Sequence, residues 1–285
     1  MPGTELRETL ARGDTVVMPG VWDPWSAKLA QRAGFSTLFV SGYCVSGTLL
    51  GLPDIGHLSQ TEVADVARRV CRAVPGTNVV VDADTGYGNA LNAARTAELW
   101  AEAGAAGMFL EDQVWPKRCG HMAGKAVVDR HDWLSKLRAV VDAGTGLHVT
   151  ARTDARAAVD LAEAVDRARA ARDVGVDALF VEAPESVSEL ETIADALGDI
   201  TLVANMVETG RTPLLSSDEL HQMGFDLIVS PLTGLFAATQ AMATAFEQLA
   251  ATGTLRDHLD QLADFDDFAD LVELDRHLDA AERYR

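Results

Sequence analysis

Residues 78–112 read NVVVDADTGYGNALNAARTAELWAEAGAAGMFLED, and this stretch determines the fold class of the chain. A short β-branched run begins at Asn78, a helix-patterned segment ends at Gly104, and a second apolar run begins at Gly107. Glycine suits the left-handed backbone position that ends many helices. Near-continuous apolar strands that alternate with helices are typical of a parallel sheet covered on both faces. The stretch therefore predicts one strand–helix–strand unit of an α/β protein.

The same alternation recurs along most of the chain. Eight repeats in 285 residues favour closure into a (β/α)₈ barrel of the TIM type. An open doubly wound sheet is the alternative, but no GxGxxG motif follows the first strand, so the usual dinucleotide-binding fingerprint is absent. The predicted strands are VVMPG from Val16, TLFVS from Thr37, NVVVDAD from Asn78, GMFLED from Gly107, LHVTARTD from Leu147, ALFVEA from Ala178, ITLVANM from Ile200 and DLIVSP from Asp226.

The chain continues past the eighth strand for longer than a barrel requires. A helix is predicted near residues 234–251, and apolar residues recur every three or four positions after it. We therefore predict a barrel over residues 1–253 and extra C-terminal helices over residues 254–285. Two alternatives remain for what packs against the apolar stripe. One is the chain's own barrel, and the other is a second subunit with which the helices are swapped. The stripe consists of Leu255, Leu259, Leu262, Phe265, Phe268, Leu271, Leu274 and Leu278.

Composition excludes several classes of partner. The 43 acidic residues outnumber the 24 lysines and arginines, which gives a net charge of −19. This charge repels nucleic-acid backbones and anionic lipid, so neither nucleic acid nor a membrane is an expected partner. No apolar run approaches the roughly 20 residues that span a bilayer, and the first residues lack a signal-peptide pattern. Three cysteines without paired spacing argue against a disulfide framework. We expect a cytoplasmic protein.

Polar residues follow five consecutive predicted strands. In a (β/α)₈ barrel, the C-terminal ends of the strands form the active site. One aspartate after a strand is usually an ordinary loop residue, but five strands in succession predict an active site. The residues, from the third strand to the seventh, are Asp82 and Asp84, Glu111 and Asp112, Arg152 and Asp154, Glu182, and Asn205.

Carboxylates that converge at one barrel mouth repel one another. Two like charges about 4 Å apart cost roughly 4 kcal/mol at an effective dielectric constant near 20. The predicted set therefore needs shared protons or a cation. Oxygen ligands suit Mg²⁺, with Mn²⁺ as an alternative, because such an ion keeps several waters and leaves positions for a substrate. Zinc would need more histidine and cysteine ligands than the lone Cys119–His121 group offers.

The segment EDQVWPKRCGH at residues 111–121 is a basic exception in an acidic chain. Lys117, Arg118 and His121 place positive charge beside Cys119. Neighbouring cations favour the thiolate and make the thiol proton easy to exchange. An inert, buried cysteine is the alternative interpretation.

Five motifs, in this order, resemble the isocitrate lyase and phosphoenolpyruvate mutase superfamily. The resemblance covers about residues 14–250. KRCGH is similar to the lyase branch, which includes 2-methylisocitrate and dimethylmalate lyases, and to carboxyvinyl-carboxyphosphonate phosphorylmutase. Mutases that act on phosphoenolpyruvate usually lack this cysteine. The motifs are SGYCVSGTLLGLPD (41–54), VDADTGYGN (81–89), EDQVWPKRCGH (111–121), ARTDA (151–155) and NMVETGRTP (205–213).

The resemblance implies a role for the acidic residues. Asp82 is expected to bind Mg²⁺ directly. Asp54, Asp84 and Glu111 are expected to act largely through the water ligands of the ion.

The resemblance also implies a substrate site for a small anionic 2-hydroxy or 2-keto acid. Backbone donors at Ser41, Gly42 and Tyr43 are expected to bind the carboxylate, and Arg152 is expected to pair with substrate oxygens. Glu182 and Asn205 are expected to order the pocket. The remaining predicted substrate-binding residues are Gly120, Thr212, Pro213 and Phe236.

Within this resemblance, Cys119 is the expected general acid in a gating loop. Cleavage of a 2-hydroxy acid between C2 and C3 leaves an enolate that needs one proton from a closed, water-poor site. The group that removes the hydroxyl proton is left open, with Tyr43 as one candidate. The predicted catalytic residues are Lys117, Arg118, Cys119, His121, Arg152 and Glu182.

Two departures from the resemblance concern the substrate. Methylisocitrate lyases tend to have tyrosine at the Phe39 position and arginine at the Phe236 position, and both changes remove polar contacts suited to a tricarboxylate. The resemblance therefore implies a Mg²⁺-dependent lyase for a substituted malate, with a phosphorylmutase as the alternative. It also implies a homotetramer, a dimer of dimers that exchange C-terminal helices.

Overall fold

Eight parallel strands form a closed barrel in the computed structural model, which describes residues 3–120 and 124–285. Each strand pairs with the next along the chain, and the first pairs with the eighth to close the ring. Every strand begins within one residue of its predicted run, so the predicted (β/α)₈ barrel is confirmed. The strands are β1 (Val16–Val21), β2 (Thr37–Val40), β3 (Asn78–Asp82), β4 (Gly107–Glu111), β5 (His148–Thr153), β6 (Ala178–Val181), β7 (Thr201–Asn205) and β8 (Leu227–Ser230).

Helices connect successive strands, and local sequence sets their ends. The side chain of Asn89 accepts hydrogen bonds from the N–H groups of Leu91 and Asn92, and Gly104 ends the same helix at a φ of 95°. A π-helical turn spans Ser46–Leu50 and a 3₁₀ segment spans Arg256–Gln261. The α-helices are α1 (Thr4–Ala11), α2 (Pro24–Arg32), α3 (Gly42–Val45), α4 (Gln60–Ala73), α5 (Ala90–Ala103), α6 (Arg130–Asp142), α7 (Ala155–Ala158), α8 (Leu161–Arg172), α9 (Val187–Leu197), α10 (Ser217–Met223), α11 (Thr233–Thr252), α12 (Phe265–Leu271) and α13 (Leu274–Glu282).

Three buried phenylalanines form a layer inside the barrel. The ring centroid of Phe109 lies 4.9 Å from that of Phe39 and 5.7 Å from that of Phe180. Side chains two positions apart on a strand point to the same face. Glu111 and Glu182 therefore lie directly above Phe109 and Phe180, so the aromatic layer is the floor on which the polar residues stand.

Helix α1 closes the opposite end of the barrel. Leu6 and Leu10 belong to the same buried cluster as the inward-facing strand residues. Arg7 donates hydrogen bonds to the carbonyl of Gly146, at 3.0 Å, to that of Leu147, and to both carboxylate oxygens of Asp177. The sequence patterns did not predict this helix, because it precedes the first strand and lies outside the strand–helix repeat.

The chain divides into two compact units, the first of which ends at Thr233, whereas the second runs from Gly234 to Arg285. The second unit contains nearly all of α11 together with α12 and α13. Many of its large apolar side chains are exposed, among them Phe246, Phe265 and Leu278. Within the described residues, none of the helices combines the length and the apolar character needed to cross a membrane.

Candidate active site

A cavity opens at the C-terminal ends of the strands, above the aromatic layer. One side of it is charged or polar, and the other side is apolar. The polar side consists of Ser41, Tyr43, Asp54, Asp82, Lys117, Arg118, Cys119, Gly120, Arg152, Glu182 and Asn205, and the apolar side of Phe39, Phe109, Phe180, Val207, Val229, Pro231 and Leu232.

The first charged group in the cavity is a lysine bound by two aspartates. The Nζ atom of Lys117 lies 2.5 Å from Oδ1 of Asp54 and 2.8 Å from Oδ1 of Asp84. All three side chains are buried. The sequence predicts that the charge of Lys117 lies beside Cys119. In the structure, this ammonium points instead at Asp54 and Asp84.

The electrostatics of the cluster follow from burial and crowding. Burial lowers the pKa of Lys117, but the carboxylates of Asp84 and Asp54 outweigh it and hold the pKa well above its usual value. Burial raises the pKa of Asp84 to about 7, opposed by Lys117 and reinforced by Asp82 and Asp54. Burial also raises the pKa of Glu111 well above its usual value, opposed chiefly by Arg152. One lysine therefore does not neutralise the cluster.

Backbone geometry brings the predicted carboxylate-binding segment against this cluster. Ser41 caps α3 by accepting a hydrogen bond from the N–H of Cys44 at 3.5 Å. A Cβ atom on Gly42 would lie 2.9 Å from Oδ2 of Asp82, so a larger residue would push this carboxylate aside. Burial, together with the charges of Cys119 and Asp54, raises the pKa of Tyr43. A raised pKa keeps the Tyr43 hydroxyl protonated, so little phenolate is present to act as a base in this state.

The second charged group is centred on Arg152. Its Nε atom donates to Oδ2 of Asp154 at 2.9 Å and lies 3.3 Å from Oε2 of Glu111. Its Nη2 atom lies 3.2 Å from Oε2 of Glu182, and its guanidinium sits 5.3 Å above the centroid of the Phe180 ring. Burial lowers the pKa of Arg152, but Asp154, Glu182 and Glu111 outweigh it, so the pKa is well above its usual value. The arginine stays charged while it faces the cavity.

Glu182 joins Arg152 to Asn205. The Nδ2 atom of Asn205 donates to both oxygens of Glu182, at 3.2 and 3.3 Å. The Oδ1 atom of Asn205 and the Oε1 atom of Glu111 are buried and accept no hydrogen bond from the part of the chain that the structure describes. Buried polar atoms are normally satisfied, so these two oxygens are available to a ligand, an ion or water.

The basic segment lies over the mouth of the cavity. Gln113 holds its turn, because Nε2 of Gln113 donates to the Arg118 carbonyl at 2.8 Å and Oε1 accepts from the Arg118 N–H at 2.9 Å. The Cys119 N–H donates to the Asp54 carbonyl at 3.2 Å. A Cβ atom on Gly120 would lie 2.5 Å from Cδ of Glu182, so this backbone rests directly on the second charged group. Cys119 therefore stands between the lysine cluster and the arginine cluster.

Two cations behind the cavity were missed by the sequence analysis. Lys125 donates to Oδ1 of Asp154 at 2.6 Å and to the Gly120 carbonyl at 2.5 Å. Arg167, on α8, donates to Oδ2 of Asp112 at 3.2 Å. Arg167 could have been found, because it is a charged residue on the buried face of a predicted helix. Lys125 has no comparable signal in the sequence.

The structure does not bring every predicted residue to the cavity. His121 lies outside the described residues. Thr212 is buried in the loop between β7 and α10, and neither it nor Pro213 is among the described residues that line the cavity. Phe236 belongs to the second unit, where it lies on α11 and is 38% exposed.

The residues present fit a hard divalent cation. Asp54, Asp82, Asp84 and Glu111 offer only oxygen donors. Burial chiefly, and neighbouring carboxylates in addition, raise the pKa values of Asp84 and Glu111, and a bound cation would oppose both effects. Within residues 3–120 and 124–285, no three Asp, Glu, His or Cys side chains are grouped as a ready-made metal site. The set therefore suits an ion with few direct protein ligands and several waters, as Mg²⁺ prefers.

Comparison with known proteins gives the family. Residues 6–250 match the family model described as phosphoenolpyruvate phosphomutase. The chain belongs to the phosphoenolpyruvate phosphomutase family. This match covers more than four fifths of the chain and confirms the resemblance read from the five motifs.

Curated relatives of this phosphoenolpyruvate phosphomutase family member include both lyases and a mutase. The chain is 44% identical to carboxyvinyl-carboxyphosphonate phosphorylmutase of Arabidopsis thaliana, over 99% of this chain and 84% of that protein. It is 38% identical to 2,3-dimethylmalate lyase of Eubacterium barkeri, over 98% and 97% of the two chains. It is 39% identical to 2-methylisocitrate lyase of Aeropyrum pernix, over 95% and 87%.

Solved structures show the same fold. A crystal structure of 2,3-dimethylmalate lyase, described as a member of the phosphoenolpyruvate mutase and isocitrate lyase superfamily, superposes with a TM-score of 0.94 at 35% identity, over 100% of this chain and 95% of the other. A structure of oxaloacetate acetylhydrolase with 3,3-difluorooxalacetate also gives a TM-score of 0.94, at 31% identity, over 99% and 97%. This family member is therefore an enzyme of a superfamily of lyases and mutases.

Proposed function

We propose that the enzyme is a carbon–carbon bond lyase that cleaves a substituted malate, or a related 2-hydroxy acid, into a 2-keto acid such as pyruvate and a carboxylic acid. The observation that carries the proposal is the position of Cys119. It lines the cavity between the lysine cluster and the Arg152–Glu182 pair, where an acid could reach a substrate bound to both.

Mg²⁺ is the proposed cofactor. Asp82 is the proposed direct ligand, and Asp54, Asp84 and Glu111 are proposed to act through water. When bound, such an ion polarises substrate oxygens and stabilises negative charge that develops on them.

The protein groups have separate tasks in the proposed reaction. The N–H groups of Gly42 and Tyr43 bind the carboxylate next to C2, whereas the predicted Ser41 N–H already donates to the Val21 carbonyl at 3.2 Å. Arg152 orients the oxygens of the substrate. Asn205 and Glu182 hold that arginine in place. Because the cluster around Arg152 is buried, these contacts are stronger than they would be in water.

Cys119 completes the cleavage. A carboxylate that lines the cavity accepts the proton of the C2 hydroxyl, and the C2 oxygen becomes the keto group. The C2–C3 bond breaks, and its electron pair moves onto the C3 fragment as an enolate. The Cys119 thiol then donates its proton to C3, which releases the carboxylic acid. The thiolate that remains lies in a segment that carries Lys117 and Arg118.

The apolar side of the cavity favours alkyl groups on the substrate. Val207, Pro231 and Leu232 line it together with Phe39. A further carboxylate placed there would lose its water without gaining a hydrogen bond, at a cost of roughly 2 kcal/mol or more. We therefore propose that an alkyl-substituted malate is a better substrate than 2-methylisocitrate or isocitrate.

A phosphorylmutase that forms or moves a carbon–phosphorus bond is the second candidate function. It is favoured by the 44% identity to carboxyvinyl-carboxyphosphonate phosphorylmutase. The same carboxylate cluster and arginine would serve a phosphorus-containing substrate.

A substrate screen separates the two functions. The purified enzyme with Mg²⁺ is incubated with 2,3-dimethylmalate, other alkyl malates, 2-methylisocitrate and phosphonopyruvate, with keto-acid release and phosphorus NMR as readouts. Keto-acid release from an alkyl malate, lost in Cys119→Ser, supports the lyase. A new carbon–phosphorus signal supports the mutase. Cleavage of 2-methylisocitrate with a kcat/KM above about 10⁴ M⁻¹s⁻¹ would refute the proposed preference for alkyl groups.

Self-association is also proposed. The apolar side chains of the second unit, such as Phe265 and Leu278, are exposed in the single chain. Exposed apolar clusters of this kind usually meet a partner. We propose a homotetramer in which dimers exchange the C-terminal helices.

A further inference from the structure

Lys125 is a buried lysine that the proposed reaction does not yet use. Only 1% of its side chain is exposed. Its Nζ atom makes two short contacts, with the Asp154 carboxylate and with the Gly120 carbonyl. A buried ammonium is tolerated only where it is paired and hydrogen-bonded, so both contacts are built into the fold. Neither Lys125 nor Asp154 is among the described residues that line the cavity.

Asp154 transmits the first contact to the arginine of the site. Its Oδ1 atom accepts from Lys125 and also from Nη2 of Arg152 at 3.2 Å, and its Oδ2 atom accepts from Nε of Arg152. Its own N–H donates to Asp112 at 2.8 Å. Asp154 is thus fixed from behind, and its carboxylate fixes the guanidinium plane in front of it.

The second contact acts on the segment that carries the thiol. Gly120 follows Cys119 directly, and its backbone is packed so closely on Arg152 and Glu182 that a Cβ atom would lie 2.7 Å from Nη2 of Arg152. The bond from Lys125 to the Gly120 carbonyl holds the segment in this position. The Lys125 ammonium therefore contacts both Asp154, which supports Arg152, and Gly120, which follows Cys119.

We propose that Lys125 is a positioning residue that fixes the distance between the Cys119 thiol and the Arg152 guanidinium. This proposal rests on the proposed function only in treating the Cys119 thiol as the acid. Loss of the ammonium releases the Gly120 carbonyl and removes one of the two cations that hold Asp154, so the thiol moves away from the arginine while the cavity itself remains.

The first test measures the position of Cys119 without any substrate. Wild-type enzyme and the variants Lys125→Met and Lys125→Arg are treated with iodoacetamide, and alkylation of Cys119 is followed by mass spectrometry. Cys44 and Cys71 provide little background, because burial raises the pKa of their thiols to about 12 and about 11. We expect Lys125→Met to accelerate alkylation of Cys119 on the order of tenfold, and Lys125→Arg, which keeps the charge, to do so by less.

The second test uses turnover. With the best substrate of the screen, Lys125→Met is expected to lower kcat about 10- to 100-fold, as misplacement of a reacting group does, with KM changed by less than about threefold. Lys28→Met on α2, outside the cavity, is the matched control for loss of a lysine. Circular dichroism identifies which variants fold, and Lys125→Arg keeps the test open if Lys125→Met does not.

Alkylation at the wild-type rate in every folded variant would overturn the proposal. This outcome is independent of the reaction catalysed, because a chain with no lyase activity still reports the position of Cys119. Faster alkylation combined with a complete lack of lyase activity in wild type would retain Lys125 as a positioning residue and reject the proposed function.

Discussion

The ammonium of Lys117 and the carboxylate of Asp54 lie 2.5 Å apart inside the protein, where 3% and 6% of the two side chains are exposed. The residues are distant in sequence and come from the segments that follow β4 and β2. The pair therefore holds the segment that carries Cys119 against the acidic cluster. Its removal should destabilise both the segment and the cluster.

Substitution Lys117→Met should destabilise the metal-free enzyme. Asp54 and Asp84 would lose their buried cation, and such a loss typically lowers the free energy of unfolding by about 3–5 kcal/mol. Mg²⁺ should restore part of the loss, so the Mg²⁺-dependent rise in Tm should be larger in the variant than in wild type. Thermal unfolding with EDTA and with Mg²⁺ measures both effects. Equal Tm values for Lys117→Met and the control Lys28→Met would contradict the expectation.

Substitution Cys119→Ser should retain the fold and Mg²⁺ binding but lower turnover by roughly 10² to 10⁴, the range for loss of a general acid. A hydroxyl has nearly the same size but gives up its proton far less readily. Steady-state kinetics measure the change, with Cys71→Ala on α4 as the control that should remain active. Activity of Cys119→Ser within a few fold of wild type would remove the thiol from the mechanism.

Substitution Asp82→Asn should abolish high-affinity Mg²⁺ binding. The amide keeps an oxygen that can accept a hydrogen bond from the Asp84 N–H, as the Asp82 carboxylate does at 3.0 Å. The local backbone is therefore preserved while the proposed direct ligand loses its charge. Titration calorimetry should show affinity reduced at least about tenfold. Asp65→Asn, on the exposed side of α4, should bind Mg²⁺ as wild type does. Unchanged affinity in Asp82→Asn would place the ion elsewhere.

Much of this site follows from the sequence because it depends on strand ends. Asp82, Glu111 and Glu182 lie where β-branched runs stop, and a parallel barrel collects all such ends at one mouth. The starts of the strands were predicted to within one residue and their ends to within two, since alternating apolar runs and glycine-ended helices leave little freedom.

The parts that could not be predicted depend on the path of loops. Lys125 meets Asp154 only because the segment after β4 returns over the cavity, and no local pattern encodes that return. Lys117 likewise turns toward Asp54 rather than toward its sequence neighbour Cys119. Helix α1 was missed because its apolar positions are few and its partners lie far along the chain.

Acid should weaken the fold through His148. Burial lowers the pKa of this histidine from 6.5 to about 4, with Arg7 acting in the same direction and Asp177 against it. Between these values the unfolded chain binds a proton that the folded chain does not, so stability is lost as the pH falls from 6.5 to 4. The loss attributable to His148 is about 3 kcal/mol.

Urea unfolding at pH 7, 5 and 4 tests this expectation. His148→Gln should show a shallower loss of stability in this range than wild type. Parallel pH profiles for wild type and His148→Gln would show that another group is responsible.

Truncation after Gly253 should disrupt the proposed tetramer. The deletion removes α12 and α13 with their apolar residues, so the partner surface would be left exposed to water. Sedimentation should show a loss of mass per particle and lower solubility. A full-length protein that sediments as a monomer would defeat the proposal, as would a truncated form that keeps both its mass and its solubility.

The contacts of α1 also bear on how the chain folds as it is made. Arg7 binds Asp177 and the carbonyl of Gly146, partners 170 and 139 positions further along the chain. Ribosomes add about 5–20 residues per second, so roughly 10–30 s separate the synthesis of this arginine from that of its aspartate. During that interval the apolar face of Leu6 and Leu10 has no barrel to enter. A nascent chain arrested before residue 177 should therefore be a better substrate for chaperones than one arrested after β8. Helix α1 can close its end of the barrel only late in synthesis.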